Sequence, residues 1–124
     1  MKVGILAGGL GTRLAGHTDK IPKPMVPIGG KPILWHIMKG YSQYGFNHFV
    51  VALGYKSEVI KNYFINYNKL SNDLTISIDN EDIESNSKPT EKWTVELLDT
   101  GLDNNTGKRV QLLAQHINEP FMLT

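Results

Sequence analysis

The stretch that decides the fold is residues 2–14, which read KVGILAGGLGTRL. The mainly apolar run from Lys2 to Ala7 predicts a short buried strand. Gly8, Gly9 and Gly11 follow at once and predict a turn with unusual backbone freedom. A buried strand that leads directly into a glycine-rich loop indicates an α/β protein with a ligand site at the carboxyl ends of its strands.

The loop after this strand carries residue types that hold phosphate. Its glycines allow several backbone N–H groups to converge on an anion, and Arg13 can add planar, bidentate contacts to phosphate oxygens. The alternative is an ordinary glycine-rich turn with a solvated arginine. Lys23 lies between Pro22 and Pro24, which limit the backbone around it. It can therefore present one ammonium to a phosphate, or it can be an ordinary surface lysine.

Two better-known phosphate-binding motifs do not fit this sequence. A Walker sequence needs Gly-Lys followed by Ser or Thr, but Gly30-Lys31 is followed by Pro32. The dinucleotide fingerprint could begin at Gly9, but its third glycine position is occupied by Leu14. A dinucleotide-dependent oxidoreductase is therefore only a distant alternative.

Length, composition and charge narrow the class of protein. The chain has 124 residues, enough for one domain with a hydrophobic core. Its net charge of +1 argues against a surface built to bind nucleic acid. The charge is uneven, because residues 1–40 hold six basic side chains and one acid, whereas residues 71–103 hold nine acids. Positive charge therefore surrounds the glycine-rich loop, where an anionic ligand would bind.

Cysteine content and the N-terminal run bear on the compartment. With 0 cysteines, the chain can form neither a disulfide nor a thiolate metal site. The first apolar run is far too short for a signal peptide or a membrane span. We therefore expect a cytoplasmic protein with no membrane partner.

The rest of the chain alternates helix and strand patterns. Segments with apolar residues at helical spacing begin near Pro32, Ser57 and Thr106, and Ser57 and Thr106 are predicted to be N-caps. Apolar runs of strand length occupy residues 49–53, 93–98 and 121–124. Leu74, Ile76 and Ile78 alternate with polar residues, which predicts a strand with one buried face, and residues 80–92 are expected to be exposed. This order predicts an α/β fold with three layers, α/β/α, of Rossmann-like type.

Three segments together resemble the sugar-1-phosphate nucleotidyltransferase family. They are the glycine-rich motif with Thr12 and Arg13, the Pro22-Lys23-Pro24 segment and residues 28–39, IGGKPILWHIMK. Residues 35–39, together with DTG at 99–101 and TGKR at 106–109, are most similar to the glucose-1-phosphate cytidylyltransferase branch. The resemblance covers almost the whole chain and is weakest over residues 71–91.

The resemblance implies a role for each matching residue. The nucleotide-binding residues that it implies are Leu6, Ala7, Gly8, Gly9, Leu10, Gly11, Thr12, Arg13, Lys23, Thr106 and Arg109. Arg13 and Lys23 are also the implied catalytic residues, because both would meet phosphate near the reacting centre. The implied reaction is attack by a phosphate oxygen of glucose 1-phosphate on the α-phosphorus of CTP. Its products are CDP-glucose and pyrophosphate, as in the biosynthesis of lipopolysaccharide O-antigen sugars.

The resemblance also implies that residues 1–124 are the N-terminal, nucleotide-binding part of a single nucleotidyltransferase domain. The family's magnesium-binding aspartate follows the strand that begins here at Phe121, so the Mg²⁺ ligands are expected beyond Thr124 and none in this chain. We expect the chain alone to be inactive. CTP and glucose 1-phosphate are the implied partners, without nucleic acid, and a homo-oligomer is expected for the full-length form.

Two departures from the family pattern keep alternatives open. Ile21 stands where the family often has a second lysine, and Lys108 stands where the cytidylyl branch usually has glycine. Charge has therefore moved within the site. A guanylyl, uridylyl or thymidylyl transferase is an alternative, and so is a nucleotide-binding module without catalysis.

Several other residues have simple structural interpretations. Asp99 before Thr100-Gly101 is typical of a turn residue, since a magnesium site needs further carboxylates or substrate phosphates. Trp35 and Trp93 are expected to pack in the protein interior. The histidines lack the spacing of metal ligands and lie at His17, His36, His48 and His116.

The loop assignment predicts unequal effects of removing two positive charges from the full-length protein. Arg13→Gln is expected to weaken triphosphate binding more than Lys69→Gln, because only the former removes a cation from the phosphate loop. Titration with CTP measures both variants. Equal losses of affinity would contradict the assignment.

Overall fold

The computed structural model of the chain describes residues 1–8, 21–85 and 91–124. The predicted nucleotide-binding residues Gly9, Leu10, Gly11, Thr12 and Arg13 lie outside the described residues, as does His17. The strands are β1 (Lys2–Ala7), β2 (Pro27–Ile28), β3 (Lys31–Pro32), β4 (His48–Leu53), β5 (Leu74–Ser77), β6 (Asp82–Ser85), β7 (Thr94–Asp99) and β8 (Phe121–Leu123). The helices are α1 (Ile33–Ser42), α2 (Ser57–Ile65), α3 (Tyr67–Ser71) and α4 (Thr106–Ile117), with a 3₁₀ turn at Lys23–Met25.

The main sheet has four parallel strands in the order β7-β4-β1-β8. Ala7 pairs with Leu53, and Leu53 pairs with Asp99, so β1, β4 and β7 end at the same level. The residues that follow these three strands therefore meet at one edge of the sheet. This arrangement confirms the predicted α/β class.

Both faces of the sheet are covered by helices. Successive side chains of a strand point to opposite faces, so each strand contributes residues to both layers. On one face Phe49 and Val51 of β4 pack with Leu34 and Met38 of α1 and Ile60 of α2. On the other face the alternate β4 residues pack against α4, and this second core comprises Val50, Ala52, Leu113 and Ile117. The three layers of the predicted fold are confirmed.

Two helices begin one residue earlier than the predicted caps imply. Asn105, not Thr106, is the N-cap of α4, and its side-chain oxygen accepts a hydrogen bond from the backbone N–H of Lys108 at 2.9 Å. Likewise Lys56, in the left-handed region at φ 51°, precedes α2, so Ser57 is its first helical residue. Both predicted caps, at Ser57 and at Thr106, are therefore wrong by one position.

The predicted burial of the strand at Leu74, Ile76 and Ile78 is wrong. β5 pairs antiparallel with β6 in a hairpin that is separate from the main sheet, and Ile76 lies opposite Ile83. Ile76 is 52% exposed and Ile83 is 45% exposed. The alternation correctly separates an apolar face from a polar one, but in the described chain that apolar face stays about half exposed.

Within the described part of the stretch 80–92, the expected exposure fails at Glu91, and residues 86–90 lie outside the described residues. The side chain of Glu91 is only 8% exposed, and it accepts a hydrogen bond from the Tyr67 hydroxyl at 2.6 Å. Trp35 donates to the same hydroxyl at 2.9 Å, and Trp93 packs beside both rings. Burial and the Glu91 carboxylate raise the pKa of Tyr67, whereas the bond from Trp35 lowers it. The two tryptophans are packing residues, as predicted.

Glu96 of β7 lies close to basic side chains from three other elements. Its carboxylate lies 2.6 Å from Nε2 of His48, 3.0 Å from Nε2 of His116 and 3.8 Å from Nζ of Lys2. The hydrogen bond with His116, followed by that with His48, lowers the pKa of Glu96. Two of the scattered histidines thus meet in space, where they tie β4 and α4 to β7.

Within the described residues, no helix is long and apolar enough to cross a membrane.

Two isoleucines test the difference between the core and the hairpin. Ile60→Ala is expected to lower the free energy of unfolding by about 2–5 kcal/mol, because it leaves a cavity in a fully buried cluster. Ile76→Ala is expected to cost less than about 1 kcal/mol, because about half of Ile76 is already exposed to solvent. Denaturant unfolding of both variants measures the difference, and equal losses would contradict the exposed placement of the hairpin.

Candidate functional site

Three residues lie side by side where the parallel strands end. Gly8 follows β1, Gly54 follows β4 and Thr100 follows β7, and the register of the sheet aligns them. The backbone N–H of Tyr55 donates to the Gly8 carbonyl at 3.2 Å, which holds the first two segments together. Open α/β sheets bind ligands at this edge. The site is therefore built around these three chain segments.

The side chain of Arg109 crosses this edge from α4. It is 3% exposed, although arginine is among the residues least often fully buried. A Cβ atom added at Gly8 would lie 2.7 Å from Cζ of Arg109, and one added at Gly54 would lie 2.9 Å from its Nη2. Both distances are too short for real atoms, so the guanidinium needs glycine at both positions. We refer to Gly8 and Gly54 as the glycine pair.

The guanidinium is held by oxygen atoms of neutral groups. Nη1 donates to Oγ1 of Thr100 at 2.7 Å and to the Leu53 carbonyl at 3.4 Å, and Nη2 donates to the Leu102 carbonyl at 3.2 Å. The Thr100 hydroxyl donates to the same Leu53 carbonyl at 2.7 Å. Thr100 is 2% exposed, so its hydroxyl is an internal link between two strand ends and the arginine.

The charge of Arg109 is not balanced by a carboxylate among the described residues. Because burial disfavours the charged form, it lowers the pKa of Arg109. An arginine nevertheless keeps its proton in proteins, so a positive charge stays beneath the edge of the sheet. Such a charge, in a region of low dielectric constant, attracts an anion that approaches this edge.

The described site residues that the sequence predicted lie at the end of β1, in the 3₁₀ turn and in α4. Leu6, Ala7 and Gly8 end β1, and Gly8 lies directly against Arg109. Thr106 is the exposed first residue of α4, one turn from Arg109. Lys23 begins the 3₁₀ turn and is exposed.

Sequence reasoning missed Gly54 and Thr100. Gly54 follows the apolar run at 49–53, and Thr100 belongs to the DTG motif at 99–101, but neither is among the predicted site residues. A usable signal was present, since glycine follows two neighbouring parallel strands at equivalent positions. Such a pair indicates that a bulky group from elsewhere passes across both backbones.

The described residues offer no site for a resident metal ion. They contain no group of three or more His, Asp or Glu side chains that could hold one. The carboxylate of Asp99, at the end of β7, is engaged by Nζ of Lys61 at 2.7 Å. A single carboxylate that is already paired with a lysine does not provide the several oxygen ligands that Mg²⁺ requires.

A parallel sheet with a glycine loop after β1 and a buried cation beneath it invites comparison with known families. The sequence model described as "Nucleotidyl transferase" matches residues 2–113. The chain belongs to the nucleotidyl transferase family. The predicted family is therefore confirmed.

Two curated relatives of this nucleotidyl transferase chain match along its full length. Glucose-1-phosphate cytidylyltransferase of Salmonella typhimurium is 49% identical over 126 residues, covering 100% of this chain and 49% of the relative. Probable glucose-1-phosphate cytidylyltransferase of Bacillus subtilis is 46% identical over 125 residues, covering 100% of this chain and 49% of the relative. The chain thus spans about half the length of the curated relatives it matches.

A solved structure supports the same fold for this nucleotidyl transferase. The crystal structure of HddC from Yersinia pseudotuberculosis complexed with GMP-PN matches with a TM-score of 0.68 and 28% sequence identity. The match covers 98% of this chain and 45% of that chain. The Rossmann-like topology is therefore shared along almost all of the chain.

The close fit of Arg109 predicts that the glycine pair does not tolerate a methyl group. Gly54→Ala is expected to lower the free energy of unfolding by about 1–3 kcal/mol, because the new Cβ would collide with the Gly8 carbonyl and the guanidinium. Gly40→Ala is the control, since nothing lies within 4 Å of a Cβ at that helical position. It is expected to stabilise the chain by about 0.5–1 kcal/mol. Thermal unfolding compares the two variants, and a tolerated Gly54→Ala would contradict the packing.

Proposed function

We propose that the protein acts in the transfer of a cytidylyl group from CTP to glucose 1-phosphate, with CDP-glucose and pyrophosphate as products. The observation that carries this proposal is the high identity, along the whole chain, to two glucose-1-phosphate cytidylyltransferases. Since the chain spans about half of these relatives, the activity is proposed for a protein of their full length. This chain alone is expected to supply the nucleotide-binding half.

The geometry of the strand ends supports a nucleoside triphosphate as the ligand. The predicted phosphate loop leaves β1 at Gly8, directly above the buried Arg109 charge. A triphosphate carries several negative charges, which that cation would attract. Residues 1–40 add six basic side chains against a single acid. A neutral or cationic ligand would gain nothing from this arrangement.

The proposed reaction is an in-line displacement at phosphorus. A phosphate oxygen of the sugar phosphate forms a bond to the α-phosphorus of CTP. The bond from that phosphorus to the oxygen bridging to the β-phosphate breaks, and pyrophosphate leaves with the electron pair. The protein's contribution is positioning and charge stabilisation, for which we propose Arg13 and Lys23. Residues 6–13, Thr106 and Arg109 are the proposed nucleotide-binding residues.

Magnesium, location and assembly complete the proposal. A divalent ion would screen the phosphate charges, and we expect its protein ligands beyond Thr124, since the described residues do not fit it. No step above depends on that ion.

We propose the cytoplasm as the compartment, where nucleoside triphosphates and sugar phosphates are made. A homo-oligomer stays a prediction.

An assay of pyrophosphate release tests the proposed function. Residues 1–124 would be joined to the C-terminal half of the Salmonella typhimurium relative at the aligned position, and supplied with glucose 1-phosphate and Mg²⁺. CTP is expected to support release at least about tenfold faster than GTP, UTP or dTTP, the discrimination that a hydrogen-bonded base site readily achieves. Lys69→Gln, on the exposed end of α3, is the control and is expected to leave the rate unchanged.

The outcomes separate the alternatives. Fastest release with GTP, UTP or dTTP would replace cytidylyl transfer by the corresponding nucleotidyl transfer. CTP binding without release, in a well-folded protein, would indicate a nucleotide-binding module. Neither binding nor release with any triphosphate would refute the proposal.

A further inference from the structure

Thr100 occupies the centre of the hydrogen-bond network at the strand ends. Its hydroxyl proton is committed to the Leu53 carbonyl at 2.7 Å, which directs the oxygen lone pairs toward Nη1 of Arg109, also at 2.7 Å. Its backbone N–H donates to the same carbonyl at 2.8 Å. The hydroxyl is therefore engaged both as a hydrogen-bond donor and as an acceptor.

Of the three oxygen acceptors of the Arg109 guanidinium, this hydroxyl lies nearest, at 2.7 Å. The other two acceptors lie farther away, at 3.2 Å for the Leu102 carbonyl and 3.4 Å for the Leu53 carbonyl. Leu102 is itself exposed, so its carbonyl belongs to a surface loop. Without the Thr100 hydroxyl, a buried cation would lose its best acceptor and its orientation would no longer be fixed.

The orientation of Arg109 matters because the guanidinium lies against the backbone of the glycine pair. Since it is 3% exposed, it acts on a ligand through that backbone and through its charge. The Gly8 carbonyl accepts the Tyr55 N–H, and the predicted phosphate loop begins at the next residue. A guanidinium that rotates away would leave this carbonyl, and the loop beyond it, less firmly placed.

We infer that Thr100 is a positioning residue for nucleotide binding, whose hydroxyl holds the Arg109 guanidinium beneath the glycine pair. The inference rests on the proposed function, because it assumes that the loop after Gly8 binds a nucleoside triphosphate. It adds a residue that neither the phosphate-loop pattern nor the family resemblance singled out as a site residue.

Two substitutions at Thr100 separate the hydroxyl from the methyl group. Thr100→Val keeps the shape and removes the hydroxyl, whereas Thr100→Ser keeps the hydroxyl and removes a methyl group. In calorimetric titration of this chain with CTP, Thr100→Val is expected to raise Kd about tenfold, equivalent to about 1.4 kcal/mol. Thr100→Ser is expected to stay within about twofold of the unaltered chain, even though its melting temperature falls.

A matched control separates positioning from general stability. Ile60→Val removes a methyl group from the core on the opposite face of the sheet. It is expected to lower the melting temperature without changing the Kd for CTP. Affinity should therefore follow the presence of the hydroxyl and not the stability of the chain.

A measurement without ligand completes the test. Hydrogen exchange of the Tyr55 amide reports the contact with the Gly8 carbonyl, and we expect faster exchange in Thr100→Val but not in Thr100→Ser. A Thr100→Val chain that binds CTP as tightly as the unaltered chain would overturn the inference. If the unaltered chain binds no triphosphate, the expectation that this chain alone supplies the nucleotide-binding half fails, and unchanged Tyr55 exchange in Thr100→Val would then overturn the positioning role.

Discussion

The contact between one buried guanidinium and two glycines is the constraint on which the site depends. Arg109 passes from α4 across the ends of β1 and β4, and a side chain at Gly8 or Gly54 would occupy the same space. Burying an unpaired charge is costly, and hydrogen bonds from the guanidinium to neutral oxygens offset only part of the cost. A protein keeps such an arrangement where the charge has a use, and here the charge lies against Gly8, the residue before the loop predicted to bind an anion.

The sheet provides the precision that this contact requires. β4 is buried on both faces between β1 and β7, so the ends of these three strands cannot shift independently. Leu53 is fully buried, and its carbonyl accepts hydrogen bonds from both the N–H and the hydroxyl of Thr100. The rigid core therefore carries a polar network directly at its edge. Variable loops can then bind a ligand against a fixed support.

The sequence predicted the fold well wherever burial and periodicity agree. β1, β4, β7 and α4 are apolar runs or helical stripes that bury against each other, so their pattern alone reveals them. The exposure of the hairpin at Ile76 was not predicted, because alternation shows that one face of a strand is apolar but not what covers that face. Gly54 and Thr100 escaped because their roles arise only when three distant segments meet at the sheet edge. Arg109 was found through a family resemblance, since no local pattern marks a buried arginine.

Phosphate binding and nucleotide choice place different demands on this site. Every nucleoside triphosphate offers the same phosphates, so the buried Arg109 charge favours the whole class equally. Discrimination between bases needs buried polar groups that one base satisfies and another leaves unpaired. On the proposed function, groups outside this network must supply it, because the Thr100 hydroxyl and the Leu53 carbonyl are already bonded to each other and to Arg109. A hydroxyl that sets the position of Arg109 therefore affects affinity through the backbone, while the base-contacting groups around it decide which nucleotide is used.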